Sequence, residues 1–306
     1  MASGHRSVLL EEAVTALITT ADGTYVDGTY GRGGHSRRVL AALSEAGRLI
    51  GFDKDPEAAV HAEDLAATDS RFSFFHRSFA DIPDIKRPEQ GFSGVLLDLG
   101  VSSPQLDNGE RGFSFQSDGP LDMRMDSSSG VTAAVWINKA PLAELIQVFR
   151  DYGEERFATR IANAIIDARE ETPIERTGRL AQIVKVAHPR WEPHKHPATR
   201  VFQAIRIFIN RELEDLESVL VRVIDTLDVG GRLVVISFHS LEDRIVKRFM
   251  RDESRGVSVP RGVPIRDADM GRRLRVVGKA VKPSTEELAN NPRARSAVMR
   301  VAERLA

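Results

Sequence analysis

The chain has 306 residues, of which 42% are apolar, and a formal net charge of −1. This length predicts two domains or one domain with a large insertion. The near-neutral charge means that any nucleic-acid contact must come from a local basic surface. There is no cysteine, which excludes disulfides, cysteine-ligated zinc and thiolate nucleophiles. Residues 1–10 lack a signal-peptide pattern and the apolar run 233–238 is too short to span a membrane, so we expect a cytoplasmic protein.

The first third of the chain alternates short apolar runs with helical patterns. The apolar runs predict strands at 24–29, 48–53, 71–78 and 94–100, and the helical patterns lie at 36–44 and from Pro56 onward. The fourth run is apolar on both faces, which is typical of a parallel sheet covered by helices. Repeated βα units of this kind predict a doubly wound α/β fold.

The α/β rhythm stops in the middle of the chain. Residues 106–125 are rich in Gly, Asp and Ser, and 131–187 carry helical spacing with no convincing strand. We therefore predict a helical insertion at 109–199, so that 1–108 and 200–306 form the other domain.

The rhythm then resumes after the insertion. One long amphipathic helix is predicted at 200–227, and Gly230-Gly231 is expected to end it. A fifth strand is predicted at 231–239, a basic loop at 255–282 and a last strand at 297–303.

A glycine-rich turn follows the first predicted strand. It includes Gly31, Gly33 and Gly34, and glycines at such a turn let the backbone approach a ligand closely. Asp53 ends the second strand, where an acid can accept hydrogen bonds from ribose hydroxyls. Dinucleotide enzymes and S-adenosylmethionine enzymes share this arrangement. A dinucleotide fingerprint needs Gly or Ala where Ser36 stands, so the sulfonium cofactor is favoured over a pyrophosphate.

Polar residues also follow the later strands. Asp98 ends the fourth strand, where ligands of open α/β sheets bind, although Asp is also a frequent turn cap. The compact loop 98–105 after it favours a binding role. Phe79 follows the third strand and either flanks an adenine or packs in the core.

Several long motifs then indicate a family. They lie at 5–10, 31–36, 98–107, 110–115, 118–125, 196–200, 237–243 and 291–296. Together they resemble the bacterial small-subunit (16S) ribosomal RNA cytosine-N4 methyltransferases, the RsmH/MraW family. The resemblance implies a Rossmann-like S-adenosylmethionine methyltransferase domain with a helical substrate-recognition insertion. It also implies a cytidine in the decoding region of the small subunit as the target.

The resemblance further implies which residues hold S-adenosyl-L-methionine. Carried over position by position, these are Gly33, Gly34, His35, Asp53, Phe79, Asp98 and Gln105.

The catalytic candidates are less sharply defined. They are Asp98, Ser103 and His239, because each follows a strand that ends at the expected cofactor edge. Ser103 is a candidate acceptor of an amine hydrogen bond, and Phe113 or Phe115 is a candidate stacking face. His239 either contacts the base or caps the next helix. No residue is assigned as the base that takes the proton.

Two further groups of residues attract attention. His188, His194 and His196 suggest a metal site, but a polar turn is the favoured interpretation and no metal is predicted. A basic set forms a candidate phosphate-binding face. Its members are Arg244, Lys247, Arg248, Arg251, Arg255, Arg261, Arg266, Arg272, Arg273 and Arg275.

Three rival functions fit parts of this pattern. A nicotinamide-dependent oxidoreductase shares the fold class, but Ser36 and the loop 98–105 argue against it. An RNA-binding ribosome-assembly protein with a vestigial cofactor pocket is the second. A methyltransferase acting on an adenine or a protein is the third. The partner expected from the resemblance is small-subunit ribosomal RNA, with no membrane and an open oligomeric state.

Overall fold

The computed structural model describes residues 7–189, 196–257 and 270–305. The chain divides into two compact units. The first unit comprises Met1–Gly100 and Leu213–Ala306, and the second comprises Val101–Glu212.

The first unit is built on a seven-stranded sheet with the order β3-β2-β1-β4-β5-β7-β6. Its strands are β1 (Thr24–Asp27), β2 (Arg48–Asp53), β3 (Phe72–His76), β4 (Phe92–Asp98), β5 (Leu227–Ser237), β6 (Leu274–Val276) and β7 (Val298–Arg304). Strands β1 to β5 pair in parallel, whereas β7 pairs antiparallel with β5 and β6. This is a Rossmann-like α/β sheet, and the predicted fold class is confirmed.

The helices of the described residues alternate with these strands and fill the second unit. They are α1 (Leu10–Leu17), α2 (Gly34–Ala42), α3 (Pro56–Thr68), α4 (Ser103–Asp107), α5 (Ala133–Lys139), α6 (Leu142–Asp151), α7 (Ala158–Glu171), α8 (Thr177–Ala187), α9 (Ala198–Asn210), α10 (Glu212–Val223), α11 (Ser240–Arg255) and α12 (Thr285–Asn290). None of them combines the length and apolar character needed to cross a bilayer.

The sheet is buried on both faces, which explains the continuous apolar runs of its strands. Successive side chains of a strand point to opposite faces. Tyr25, Leu96 and Val234 pack with α1, α2 and α3, whereas their chain neighbours Val26, Leu97 and Val235 pack with α10 and α11. Burying each of these side chains contributes about 1.5–3 kcal/mol to folding.

The prediction of one continuous helix at 200–227 is wrong. It is two helices, α9 and α10, separated by Arg211, which adopts a left-handed conformation with φ 53°. The Asn210 side chain holds this break because it accepts from the backbone N–H of Met125 and donates to the carbonyl of Met123. Those partners lie far away in the sequence, so helical periodicity alone did not reveal the break.

The expected helix stop at Gly230-Gly231 is also wrong, because both glycines lie inside β5. The pairing of β4 with β5 shifts register between Phe92 and Gly94. Gly230 has φ 81°, and a Cβ on Gly231 would lie 2.8 Å from the carbonyl oxygen of Phe92. The two glycines therefore allow an irregularity within a strand. Glycine is favoured at such irregularities as well as at the ends of helices.

The second unit has its own apolar core. Trp136, Phe149, Ile161, Leu180 and Ile205 belong to it, so α5 to α9 all contribute. This unit, Val101–Glu212, contains the predicted insertion 109–199 and extends past it at both ends. Helix α9 belongs here because its apolar face packs in this core.

Candidate functional site

The candidate site lies where the parallel strands of the first unit end. Strands β1 and β4 are neighbours in the sheet, and the strand order reverses direction between them. In open α/β sheets the crevice at this point binds ligands. Asp27, Asp53 and Asp98 end β1, β2 and β4 respectively, so three carboxylates converge on this edge.

The glycine turn after β1 is tightly held. Gly31 has φ 55° and donates its backbone N–H to Asp53 Oδ2 at 2.7 Å. Gly33 has φ 73°, and a Cβ there would lie 2.6 Å from the Tyr30 hydroxyl. That hydroxyl donates to the carbonyl of His61 at 3.0 Å, which fixes the ring. Only glycine fits position 33 without displacing the backbone or the ring.

Ser36, where a dinucleotide fingerprint requires Gly or Ala, has a defined partner. Its hydroxyl donates to Asp27 Oδ2 at 2.6 Å, and both residues are buried. Burial raises the pKa of Asp27 despite this hydrogen bond and one from the backbone of Thr29. The serine therefore satisfies a buried carboxyl beneath the turn, a role that glycine and alanine cannot fill.

His35 begins α2 together with Gly34 and is almost fully buried. Its Nε2 lies 3.1 Å from the carbonyl oxygen of Val8, and its Nδ1 lies 3.6 Å from Asp98 Oδ2. The imidazole thus bridges the N-terminal segment and the end of β4. At 3.6 Å this contact is too long for a hydrogen bond, so His35 acts on the Asp98 carboxylate through electrostatics.

Asp98 retains unused acceptor capacity. Its Oδ1 is inaccessible to solvent and has no hydrogen-bond partner among the described residues, although its side chain as a whole is 22% exposed. Burial raises its pKa to about 6, while His35 opposes that rise and Asp27 and Glu242 add to it. A buried oxygen without a partner is costly, and such an atom at a sheet edge is where a ligand donor belongs.

Asp53 has a similar chemistry. Burial raises its pKa to about 6, and the backbone N–H groups of Asp55 and Gly31 oppose the rise. Each carboxylate oxygen accepts one backbone hydrogen bond, at 2.9 Å and 2.7 Å respectively. Each oxygen accepts more than one donor, so the carboxylate can still bind a pair of hydroxyl groups.

Phe79 is packed as a core residue. It is 9% exposed, starts a 3₁₀ turn over Phe79–Asp84 and belongs to the cluster that contains Phe52 and Leu97. A Cβ on Gly28 would lie 3.1 Å from the Cβ of Phe79, so the Phe79 side chain packs closely against the residue that follows β1. The geometry supports packing against the turn, and contact with a cofactor stays a prediction.

Sequence reasoning missed a polar link beside this turn. Asp215 of α10 accepts from Lys54 Nζ at 3.0 Å and from the Ser78 hydroxyl at 2.7 Å. It thereby joins the ends of β2 and β3. No local pattern signals it, because Asp215 lies far along the chain.

His239 stands at the N-cap of α11, directly after β5. Its Nε2 lies 3.1 Å from Glu242 Oε1 without hydrogen-bond geometry. Glu242 is buried, and its Oε2 accepts from the backbone N–H groups of Phe238 and His239 at 2.8 Å and 3.3 Å. His239 thus occupies the N-cap position, but its ring nitrogens have no hydrogen-bond partner among the described residues, so both interpretations made from the sequence stay predictions.

Ser103 and Gln105 belong to the second unit. Ser103 is the first residue of α4 and is buried. The Gln105 side chain accepts from the backbone N–H of Ser102 at 2.8 Å, one half of a capping box. This oxygen of Gln105 therefore has a structural role, and its contact with a cofactor stays a prediction.

The histidines of the second unit have separate surroundings. His196 packs on Phe115 with ring centroids 4.7 Å apart, and His188 lies 3.6 Å from Glu155. His194 lies outside the described residues. Among the residues that the structure describes, no group of three or more His, Cys, Asp or Glu is placed to hold a metal ion.

Comparison with known proteins identifies the family of the chain. The model of the MraW methylase family matches residues 2–305. A protein of Chromohalobacter salexigens, named ribosomal RNA small subunit methyltransferase H, is 58% identical over 305 residues, covering 98% of this chain and 92% of that protein. A protein of the same name from Legionella pneumophila strain Paris is 56% identical over 305 residues, covering 99% of both chains. The chain therefore belongs to the MraW methylase family.

Proposed function

We propose that the protein transfers a methyl group from S-adenosyl-L-methionine to the N4 amine of a cytidine in the decoding region of 16S ribosomal RNA. The observation that carries this proposal is the edge with three carboxylates and the glycine turn, in a chain whose relatives bear the name of a small-subunit ribosomal RNA methyltransferase. The cytoplasm is where such an RNA substrate is found, so the proposal places the protein there.

The charge of the edge favours a sulfonium cofactor. Asp53 and Asp98 each have a pKa of about 6, so both are mostly ionised at neutral pH and the local field attracts a cation. Asp53 would bind the ribose hydroxyls, and the backbone at Gly33 and Gly34 would lie against the cofactor. His35, Phe79 and Gln105 complete the proposed set.

Bound at this edge, S-adenosylmethionine supplies an electrophilic methyl group. The cytosine amine is a weak nucleophile because its lone pair is delocalised into the ring. Asp98 Oδ1 is a buried acceptor that no described residue satisfies, so it would accept a hydrogen bond from the amine and favour the charge that develops there. Ser103 and His239 are the other groups proposed to contact the base.

The proposal is tested by incubating the protein with isotope-labelled S-adenosylmethionine and small ribosomal subunits from cells that lack this methylation. We expect N4-methylcytidine in the nucleoside digest, identified by mass spectrometry. Tight cofactor binding with labelled N6-methyladenosine, or with no label in RNA, would contradict the proposal.

A further inference from the structure

Helix α11 of the first unit carries five exposed basic residues on one face. We call this face the α11 stripe and define it as Arg244, Lys247, Arg248, Arg251 and Arg255. With 3.6 residues per turn, these positions span an arc of about 100° around the helix axis. Buried Glu242, Val246 and Met250 lie on the opposite side of the helix.

The spacing of the stripe is unfavourable for an isolated helix. Arg244 and Arg248, Lys247 and Arg251, and Arg251 and Arg255 are each four residues apart, so like charges face each other. Opposite charges at this spacing stabilise a helix, whereas like charges destabilise it by a similar amount. The helix dipole accounts for Arg251 and Arg255 near the C-terminus, but not for Lys247 and Arg248 nearer the N-terminus.

Two acids of α11, Asp243 and Asp252, already have arginine partners. Asp243 is engaged by Arg300 of β7 through two contacts of 2.7 Å and 3.0 Å. Asp252 is held by Arg251 at 2.8 Å in an exposed pair, which is weak in water. Within the described part of the chain, Lys247 and Arg248 have no ion-pair partner.

Other members of the basic set identified from the sequence are less available. Arg273 pairs with Asp225 and Glu253, and Arg275 pairs with Glu303. Arg261 and Arg266 lie outside the described residues. Lys247 and Arg248 on α11 are therefore the described members of the set on which the proposal rests.

The α11 stripe also begins close to the candidate site. Helix α11 starts at His239 and Ser240, immediately after β5 ends at the candidate site. Arg244 lies about 7 Å along the helix axis from His239, and the stripe extends a further 16 Å or so to Arg255. The stripe therefore begins within two helical turns of the candidate site.

We propose that the α11 stripe binds the phosphate backbone of the RNA substrate and holds the target nucleotide's strand at the site. This inference rests on the proposed function for the identity of the polyanion. Phosphate contacts fix position and carry no sequence information. The stripe therefore contributes affinity and register, and recognition of the base falls to the site.

The test is the double charge reversal Lys247→Glu/Arg248→Glu in the full chain. Its matched control is Lys279→Glu/Lys282→Glu, which changes the net charge equally at two exposed positions of the same unit. Equilibrium binding to small-subunit RNA is measured from about 50 to 200 mM salt. Steady-state KM for the RNA and affinity for S-adenosylmethionine are measured alongside.

We expect the stripe variant to bind RNA about ten-fold more weakly, with the slope of log affinity against log salt reduced by about 1.5. KM for RNA rises accordingly, whereas cofactor affinity is unchanged. A second variant, Lys247→Arg/Arg248→Lys, keeps both charges and is expected to bind RNA as the unchanged protein does. An unchanged salt slope, or an equal loss of RNA affinity in the control variant, would overturn the proposal.

Failure of the stripe and failure of the proposed function give different results. An active enzyme whose RNA affinity ignores the reversal disproves only the stripe. A wild-type protein that binds RNA through the stripe but methylates no cytidine disproves only the proposed function. If the charge-reversed variant loses cofactor affinity, Lys247→Gln/Arg248→Gln replaces it, and its salt slope decides by the same criterion.

Discussion

At the scale of single residues, the site contains two buried carboxyl groups whose ionisation is unfavourable. Asp53 and Asp98 end β2 and β4, the strands on either side of β1. Burial raises the pKa of each carboxyl to about 6. An acid whose folded-state pKa exceeds its unfolded value stabilises the fold only when it is protonated. That contribution is complete below pH 3.8 and is lost as the pH rises through about 6. At neutral pH both carboxylates therefore reduce stability, as expected of groups retained for ligand binding.

Replacing Asp98 with asparagine is predicted to stabilise the free protein. The substitution removes a buried charge at pH 7, and the pKa change corresponds to at most about 3 kcal/mol in the free energy of unfolding. The same variant is expected to lose methyl transfer. Urea denaturation at pH 5 and pH 8 measures the effect, and the gain should be larger at pH 8. The control is Asp69→Asn, since Arg71 lowers the pKa of Asp69 and its loss should have the opposite sign.

Replacing Asp53 with alanine is predicted to weaken cofactor binding by about 1–3 kcal/mol, the usual effect of deleting a buried polar partner. Isothermal titration with S-adenosylmethionine measures it. Glu63→Gln, at an exposed position of α3, is the control and should bind normally. A folded Asp53→Ala protein with unaltered affinity would refute the assignment.

At the scale of elements, turns and helix caps fix the positions of the polar residues that follow the strands. Gly31 and Gly33 both have positive φ, but they differ in surroundings. A Cβ at position 31 would meet nothing within 4 Å, whereas one at position 33 would collide with the Tyr30 ring. The pair therefore separates the cost of the backbone conformation from the cost of close packing.

Alanine at position 31 is expected to cost about 1 kcal/mol of stability for its left-handed conformation. Alanine at position 33 should cost clearly more, because Tyr30 must also move. Thermal denaturation of the two variants measures the difference. Equal losses would show that the contact with Tyr30 is easily relieved.

The start of α11 depends on the buried Glu242. Replacing it with alanine leaves the backbone N–H groups of Phe238 and His239 without their shared acceptor, which is expected to cost about 1–3 kcal/mol. Chemical denaturation gives the value. Asp252→Ala lies on the exposed side of the same helix and should change stability by less than about 0.5 kcal/mol. Comparable losses in the two variants would refute the capping role.

At the scale of the whole molecule, each unit has a separate core. The core of the second unit is formed by residues between 101 and 212 alone. We predict that a fragment of residues 101–212 unfolds cooperatively on its own, since a core of this size exceeds what small autonomous domains need. Ile161→Ala, at a fully buried site, should destabilise it by about 2–5 kcal/mol. A fragment without a cooperative thermal transition would contradict this expectation.

The family, the fold class and the positions of most strands along the chain were predictable because they depend on local patterns. Apolar runs, the glycine turn and the acids that follow strands all lie within short segments, and the family model and the sheet confirm the predictions made from them. The domain boundaries and the roles of Ser103, Gln105 and His239 stay predictions.

The sequence by itself determined that a doubly wound sheet ends in Asp53 and Asp98 beside a glycine turn. Only the tertiary structure decided that Ser36 bonds to Asp27 and that Asn210 breaks a helix by binding the backbone of Met123 and Met125. It also decided that no described residue donates a hydrogen bond to one oxygen of Asp98. The reason is physical. Hydrophobic periodicity records which face of an element is buried, whereas the partner of a polar side chain depends on which distant segments the fold brings within hydrogen-bond distance.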